Sequence, residues 1–181
     1  LTAYKIDRQT EYSLLVSFLS DDIVKLYKSD NPEDTLAFST QEVEVIPSTS
    51  EESKKDSVVM YKGTRYRGYV YINPSKMKVI KNVYSDEGIG VDNVYYDNVI
   101  HICVYEGKKL LYGKDITKNV FATIFPEEVL NQTILSDMNF KMWMENGYHY
   151  EAMLRIPESS VYHLVSLTIG TDKQLHIKMV E

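Results

Sequence analysis

Cysteine occurs once in this chain of 181 residues, at Cys103, so no intramolecular disulfide can form. In VIHICVY the alternation of a strand places that thiol on one face with His101 and Tyr105, opposite Ile100, Ile102 and Val104. Single cysteines are mostly packing residues, and a packing role is expected rather than nucleophilic catalysis. Long hydrophobic runs are also missing. The longest, Leu14 to Leu19 and Val99 to Tyr105, fall well short of the roughly 20 residues that a membrane-spanning helix needs. Tryptophan occurs once, and basic residues number 20 against 26 acidic ones. The resulting net charge of −6 argues against a dedicated nucleic-acid binder.

Motifs that carry chemistry are absent as well. There is no G-x-S-x-G, no phosphate-binding loop and no dinucleotide fingerprint, since Gly88-Ile89-Gly90 lacks the third glycine and the strand-to-helix context. His101, His149, His163 and His176 fall on separate expected strands, without H-x-x-x-H or C-x-x-C spacing, so no metal site and no cofactor are expected. His149 and Glu151 share one strand face in Tyr148-His149-Tyr150-Glu151, an arrangement that suits an oriented histidine and an ordinary surface pair equally. Asn131-Gln132-Thr133 matches a glycosylation sequon but lies inside an expected helix, where modification is not expected.

What remains is a chain that is 44% hydrophobic and 25% charged, with 15 tyrosines, a composition that suits a folded, strand-rich domain. Residues 1–181 are expected to form a single domain that needs no disulfide or metal to fold. From Thr10, TEYSLLVSFLSDDIVKLYK sets Leu15, Val16, Leu19, Ile23 and Leu26 on a helical stripe, with Thr10 as N-cap. Tyr12, Leu14, Val16 and Phe18 also alternate, which leaves a strand ending at Ser20-Asp21-Asp22 as the competing reading. Leu36 to Phe38 and Val43 to Ile46 read as short strands, and Pro47 to Ser57 as an exposed, mobile loop without hydrophobic residues. Val91 to Tyr105 is a long apolar stretch bent near Asp97-Asn98, and Glu106-Gly107-Lys108 turns it into a hairpin. Pro126 opens a second helix near 126–138, whose Glu127 and Glu128 complement its dipole. The Met142-Trp143-Met144 cluster reads as core, followed by a strand in HYEAMLRI. Gly170-Thr171-Asp172-Lys173 closes a last hairpin. The expected class is α+β with a dominant antiparallel sheet, curled into a sandwich or a partly open barrel.

One surface stands out. Tyr61 to Tyr84 holds six basic residues, five tyrosines and no acid. The segment reads as a β-hairpin turning at Asn73-Pro74-Ser75-Lys76, with Tyr66, Val70, Ile72, Met77, Val79 and Val83 facing the core. Arg65, Arg67, Tyr69 and Tyr71 then share the other face with Lys78, Ile80, Asn82 and Tyr84, setting cations beside aromatic rings. Such a face stacks on sugars or on protein side chains and holds anions, although the eight acids between Asp30 and Asp56 are available to neutralise it.

The KGTRYRGYVYIN strand, the VIHICVYEGKKLLYGKDITKNVF stretch and the closing hairpin together resemble small secreted or lipid-anchored β-rich domains of unknown function from gut Bacteroidetes. That resemblance implies a cell-envelope or periplasmic location, with a lipid anchor on a removed upstream segment; the start at Leu1 rather than Met fits such processing. The expected function is a noncatalytic envelope domain that binds a glycan, peptide or protein partner. Arg65, Arg67, Tyr69, Tyr71, Lys78 and Tyr84 form its candidate ligand surface. Two alternatives stand beside it: an enzyme whose residues, such as His149, Glu151 or His163, converge only in the fold, and a lipocalin-like carrier with an apolar cavity.

Overall fold

The computed structural model describes residues 4–18, 22–28, 38–42, 51–84 and 90–180. Among these residues twelve strands form three four-stranded, predominantly antiparallel sheets. Only two short helices accompany them. The class is therefore β-rich rather than α+β. The described residues fall into two compact units, Leu1–Ile46 with Asn82–Val94, and Pro47–Lys81 with Tyr95–Glu181.

In the first unit the expected N-terminal helix is replaced by strands. β1 (Tyr4–Gln9), β2 (Ser13–Phe18), β3 (Ile23–Lys28) and β4 (Phe38–Glu42) pair in sequence order. β2 and β3 run antiparallel with Ser13 opposite Tyr27 and Ser17 opposite Ile23. The helical stripe was an accident of spacing: two six-residue strands joined across Ser20-Asp21-Asp22 bring apolar residues to intervals that a helix also satisfies. Leu15, Val16 and Ser17 are buried in succession, as befits a strand covered on both faces. Thr10 does cap, but it caps a turn. Its Oγ1 accepts a hydrogen bond from the Ser13 backbone N–H at 3.0 Å, while its own N–H donates to the Ser13 carbonyl at 2.9 Å. Asp92 is buried in this unit and accepts from Arg8 Nη1 at 2.7 Å and Lys25 Nζ at 2.9 Å. Burial opposes the charge on Lys25, yet Asp92 and Tyr27 outweigh it and raise the pKa of that ammonium.

β5 (Ser53–Tyr61), β6 (Thr64–Tyr84), β7 (Gly90–Glu106) and β8 (Lys109–Ile116) form the second sheet in sequence order. Of the expected loop at 47–57, residues 47–50 lie outside the described residues, whereas Ser53–Ser57 belong to β5. Lys62 and Gly63, with φ of 46° and 78°, make the two-residue turn between Tyr61 and Thr64. Positive φ at both central residues is the hairpin turn whose twist suits the flanking strands, and Gly63 adopts it without penalty.

The hairpin expected at Asn73-Pro74-Ser75-Lys76 does not form, because β6 runs through it as one strand of 21 residues. β5 pairs with β6 only as far as Ile72, so Pro74 lies past the end of that partner and removes no bond from their ladder. The buried positions shift from even numbers, Val70 and Ile72, to the odd-numbered Val79. An irregularity of one residue within a strand inverts the faces just as a two-residue turn does, so the alternation suited both readings.

The third sheet comprises β9 (Ile134–Met144), β10 (Gly147–Arg155), β11 (Tyr162–Ile169) and β12 (Leu175–Met179). The hairpins expected at Gly107 and at Gly170 to Lys173, and the strand in HYEAMLRI, are all present. Between β8 and β9 lie a 3-10 helix, Lys118–Thr123, and α1, Glu127–Gln132. The second helix thus stops well before 138. Thr133 is extended and fully buried, and the chain enters β9 where Ile134 and Leu135 favour a strand.

The second unit has one apolar core between the inward faces of these two sheets. Ile100, Ile102 and Val104 of β7 meet Leu135 and Met138 of β9, Tyr150 and Leu154 of β10 and Leu167 of β11, with Phe121 and Leu130 added by the helices. Each fully buried aliphatic side chain stabilises the fold by about 1.5–3 kcal/mol. Gly68 is required by this packing, since a Cβ there would come within 2.7 Å of the Phe140 ring. Met142 and Met144 are not core, each being 46% exposed. They lie in the part of β9 that leads into the Glu145-Asn146 turn, beyond the buried Phe140.

Candidate functional site

The outward face of the β5–β8 sheet is built by the Lys62-Gly63 turn. With Tyr61 opposite Thr64, strand pairing sets Lys54 beside Tyr71, Asp56 beside Tyr69, Val58 beside Arg67 and Met60 beside Arg65. On the other pair of strands, His101 lies opposite Asp115 and Cys103 opposite Gly113. Alternation directs Val70, Ile72, Ile100, Ile102 and Val104 to the core, which leaves Arg65, Arg67, Tyr69, Tyr71, His101 and Tyr105 on the outer face.

These side chains form a ladder of cations and rings. Tyr69 and Tyr71 stack with centroids 6.0 Å apart and planes 25° from parallel. The Lys54 ammonium lies 5.0 Å from the Tyr69 centroid and 5.1 Å from that of Tyr71. The Arg67 guanidinium lies 4.9 Å from the Tyr69 ring. Tyr105 meets Tyr69 edge-on at 5.8 Å, and His101 packs against Tyr71 at 6.1 Å. Cations at these distances are attracted to the electron-rich ring faces, which fixes the order of the side chains.

The ladder is partly neutralised from within. Arg67 Nε donates to both oxygens of Asp56, at 2.9 and 3.1 Å, and Arg67 Nη2 also donates to Oδ2. That fork holds the Asp56 carboxyl below the usual range and raises Arg67 above its own. His101 Nδ1 lies 2.7 Å from Asp115 Oδ1. The Cys103 thiol is buried, and burial raises its pKa despite Lys54 and a hydrogen bond with the Tyr69 backbone.

The six residues singled out in the sequence do not all meet. Arg65, Arg67, Tyr69 and Tyr71 share the outer face of β6 alongside β5. Lys78 and Tyr84 are not across a hairpin from them but farther along the same strand. Seven residues of extended chain, about 23 Å, separate Lys78 from Tyr71. The side chain of Tyr84 lies outside the described residues. Sequence reasoning missed Lys54, Gly113 and Asp115 as partners of this face, whereas Asp56 is one of the acids it made available to neutralise the patch. The signal was Lys62-Gly63, which sets the register that pairs Lys54 with Tyr71.

The histidines of the enzymatic alternative are engaged separately. His149 Nε2 lies 2.9 Å from Asn146 Oδ1 and its Nδ1 lies 3.1 Å from Thr168 Oγ1, while burial lowers its pKa. Glu151 pairs instead with Lys141 Nζ at 2.8 Å, and the His163 ring packs 5.1 Å from that of Phe125. Among the described residues no three His, Cys, Asp or Glu side chains are grouped to hold a metal ion, and no helix is long and apolar enough to cross a membrane.

A family model described as Domain of unknown function (DUF4738) matches residues 31–177. No curated protein matches the chain.

Proposed function

From the premise that this chain belongs to the DUF4738 family, a domain of unknown function, we propose that it is a noncatalytic binding module whose ligand lies on the outer face of the β5–β8 sheet. The observation that carries this reading is the ladder of Arg67, Tyr69, Lys54 and Tyr71. A core does not require it, since these side chains point away from the core of their own unit. Aromatic rings with few rotatable bonds, packed against neighbouring cations, offer contact area at little entropic cost on binding, which is what a recognition surface needs. Cys103 is buried and burial raises its pKa, which supports contact chemistry rather than a nucleophile on this face. The ligand class is a glycan, peptide or protein encountered at the cell envelope, the compartment that the sequence resemblance implies.

The test is a screen of the folded chain against arrayed glycans and envelope peptides, with a Tyr69→Ser/Tyr71→Ser variant beside it. The variant should keep the circular dichroism spectrum of the parent and lose its hits. Hits that survive in the variant would exclude this face as the binding surface.

A further inference from the structure

Met142 and Met144, at the end of β9, are exposed and have no use in the core. Strand pairing sets Met142 opposite His149 and Met144 opposite Gly147. On β10 the flanking Tyr148 and Tyr150 are buried in the core, so His149 points to the outer face of the third sheet, and Met142 across from it points there too. Met144 follows two residues along on the same side of β9, and Gly147 opposite carries no side chain to cover it. Residues directly opposite each other have Cα atoms about 4.5–5.5 Å apart, and residues two apart along a strand about 6.8 Å. Methionine spans such distances with its three rotatable bonds. Two thioethers and one imidazole can therefore reach a common point.

The imidazole is already oriented. Its Nδ1 lies 3.1 Å from Thr168 Oγ1 on β11, and its Nε2 lies 2.9 Å from Oδ1 of Asn146, an exposed side chain of the turn. In the tautomer that donates Nδ1–H to Thr168, Nε2 carries the lone pair, and an ion bound there displaces only Asn146. Burial lowers the pKa of His149, which favours the neutral ring that ligates metals. The nearby carboxylates of these strands and their turn are engaged by lysines. Glu151 pairs with Lys141 and Glu145 with Lys62, each at 2.8 Å. The donor set is thus two soft sulfurs and one nitrogen, without the oxygen anions that Mg²⁺ and Ca²⁺ require.

We propose that Met142, Met144 and His149 form a three-coordinate site for a soft monovalent metal ion, Cu(I). The site lies on a different sheet from the ring ladder and does not depend on binding there. Thioethers stand outside the His, Cys, Asp and Glu side chains whose grouping was considered above. Thioether sulfur selects Cu(I) over the harder divalent ions. On an exposed strand end the apolar part of methionine gains little from burial, and leucine would serve as well; the sulfur is what distinguishes the residue there.

Anaerobic competition of the full chain with bicinchoninate for Cu(I), together with NMR of the isotopically labelled methionine methyl groups, tests this. The protein should take up a single Cu(I) and shift the methyl resonances of Met142 and Met144, leaving those of Met60, Met77 and Met179, which are also exposed, in place. Met142→Leu/Met144→Leu should weaken Cu(I) binding by more than about a hundredfold, the upper range for changes outside the ligands themselves, and keep the melting temperature of the parent. His149→Gln should weaken it by more than about tenfold. Zn(II) in equal amount should not displace the Cu(I). Retention of all the Cu(I) by bicinchoninate, unchanged affinity in the double methionine variant, or displacement by Zn(II) would each overturn the inference. Equal shifts at Met60, Met77 and Met179 would overturn it as well, since they would show adventitious binding to any exposed thioether.

Discussion

The carboxylate of Asp97 lies 3.6 Å from the ammonium of Lys118, with no part of Asp97 exposed and only 12% of the lysine side chain in reach of solvent. Asp97 Oδ1 accepts from the backbone N–H groups of Asn98 at 2.8 Å and Leu135 at 2.7 Å, so the residue ties β7 to the start of β9. Lys118 donates to the Thr133 carbonyl at 3.0 Å. Asp97 Oδ2 has no hydrogen-bond partner among the described residues, which makes its ion pair with Lys118 the compensation for its burial. Desolvation acts against both charges, raising the pKa of Asp97 and lowering that of Lys118. A buried pair of this kind adds little net stability as a whole but becomes costly when one partner is removed.

Lys118→Met should therefore destabilise the protein at pH 7 by about 3–5 kcal/mol, as read from urea unfolding. The sign of its pH dependence follows from Asp97. A carboxyl whose folded pKa is raised contributes its full stability below its unfolded pKa of about 3.9 and loses that contribution as pH rises through the folded value. Without Lys118 that folded value rises further. The deficit of Lys118→Met should thus be largest near neutrality and shrink toward pH 4. A deficit independent of pH would show that Asp97 is not the group left uncompensated.

Two strand glycines make opposite predictions. Gly68→Ala drives a methyl group to within 2.7 Å of the Phe140 ring, itself packed at 5.1 Å from Tyr150, so relief requires a core shift costing about 1–3 kcal/mol. Gly113→Ala meets only ordinary contacts and should stabilise by about 0.4–1 kcal/mol. Thermal unfolding of the two variants should move the melting temperature in opposite directions. A loss of stability in Gly113→Ala would show that this glycine serves the fold rather than the surface.

The strands and turns were legible where local chemistry decides them. Gly107 and the Gly170 to Lys173 segment announced their hairpins, because glycine and short polar residues have few other uses between alternating runs. The segment from Tyr12 to Tyr27 was not legible, since its apolar residues satisfy two periods and only pairing between β2 and β3 decides between them. Asn73-Pro74-Ser75-Lys76 carried the residues of a turn, but the sequence does not display the lack of a β5 partner beside Pro74, which lets a strand continue there. For the surface, alternation alone aligned Arg65, Arg67, Tyr69 and Tyr71. Lys54, Asp56 and Tyr105 come from other strands, and their arrival depends on register, a non-local property that local pattern cannot supply.

Tyr150 presents a different kind of test. Its ring is 1% exposed within the core, and its hydroxyl has no hydrogen-bond partner among the described residues. Burial drives its pKa far above the usual tyrosine value, so the phenol stays neutral throughout the physiological range. A buried donor without an acceptor costs about 1–3 kcal/mol. Tyr150→Phe removes that cost and keeps the ring contact with Phe140, so unfolding should show a stability equal to or above that of the parent. A clear loss would mean that the hydroxyl is bonded in solution, through a bridging water.

The Lys62-Gly63 turn controls the register on which the candidate site depends, and it can be improved as well as damaged. Lys62 holds φ at 46°, a region that costs an ordinary side chain, whereas asparagine tolerates it and Asn-Gly is the favoured pair in this turn. Lys62→Asn gives up the exposed pair with Glu145 at 2.8 Å, a contact of the kind that solvent screens strongly, and should raise the melting temperature. Gly63→Ala places a Cβ at φ 78° and should lower stability by about 1–2 kcal/mol. Because Lys54 reaches Tyr69 and Tyr71 only in this register, ligand affinity on the sheet face should survive Lys62→Asn and weaken in Gly63→Ala. Equal melting temperatures for Lys62→Asn, Gly63→Ala and the parent would show that residues 62 and 63 do not adopt this turn.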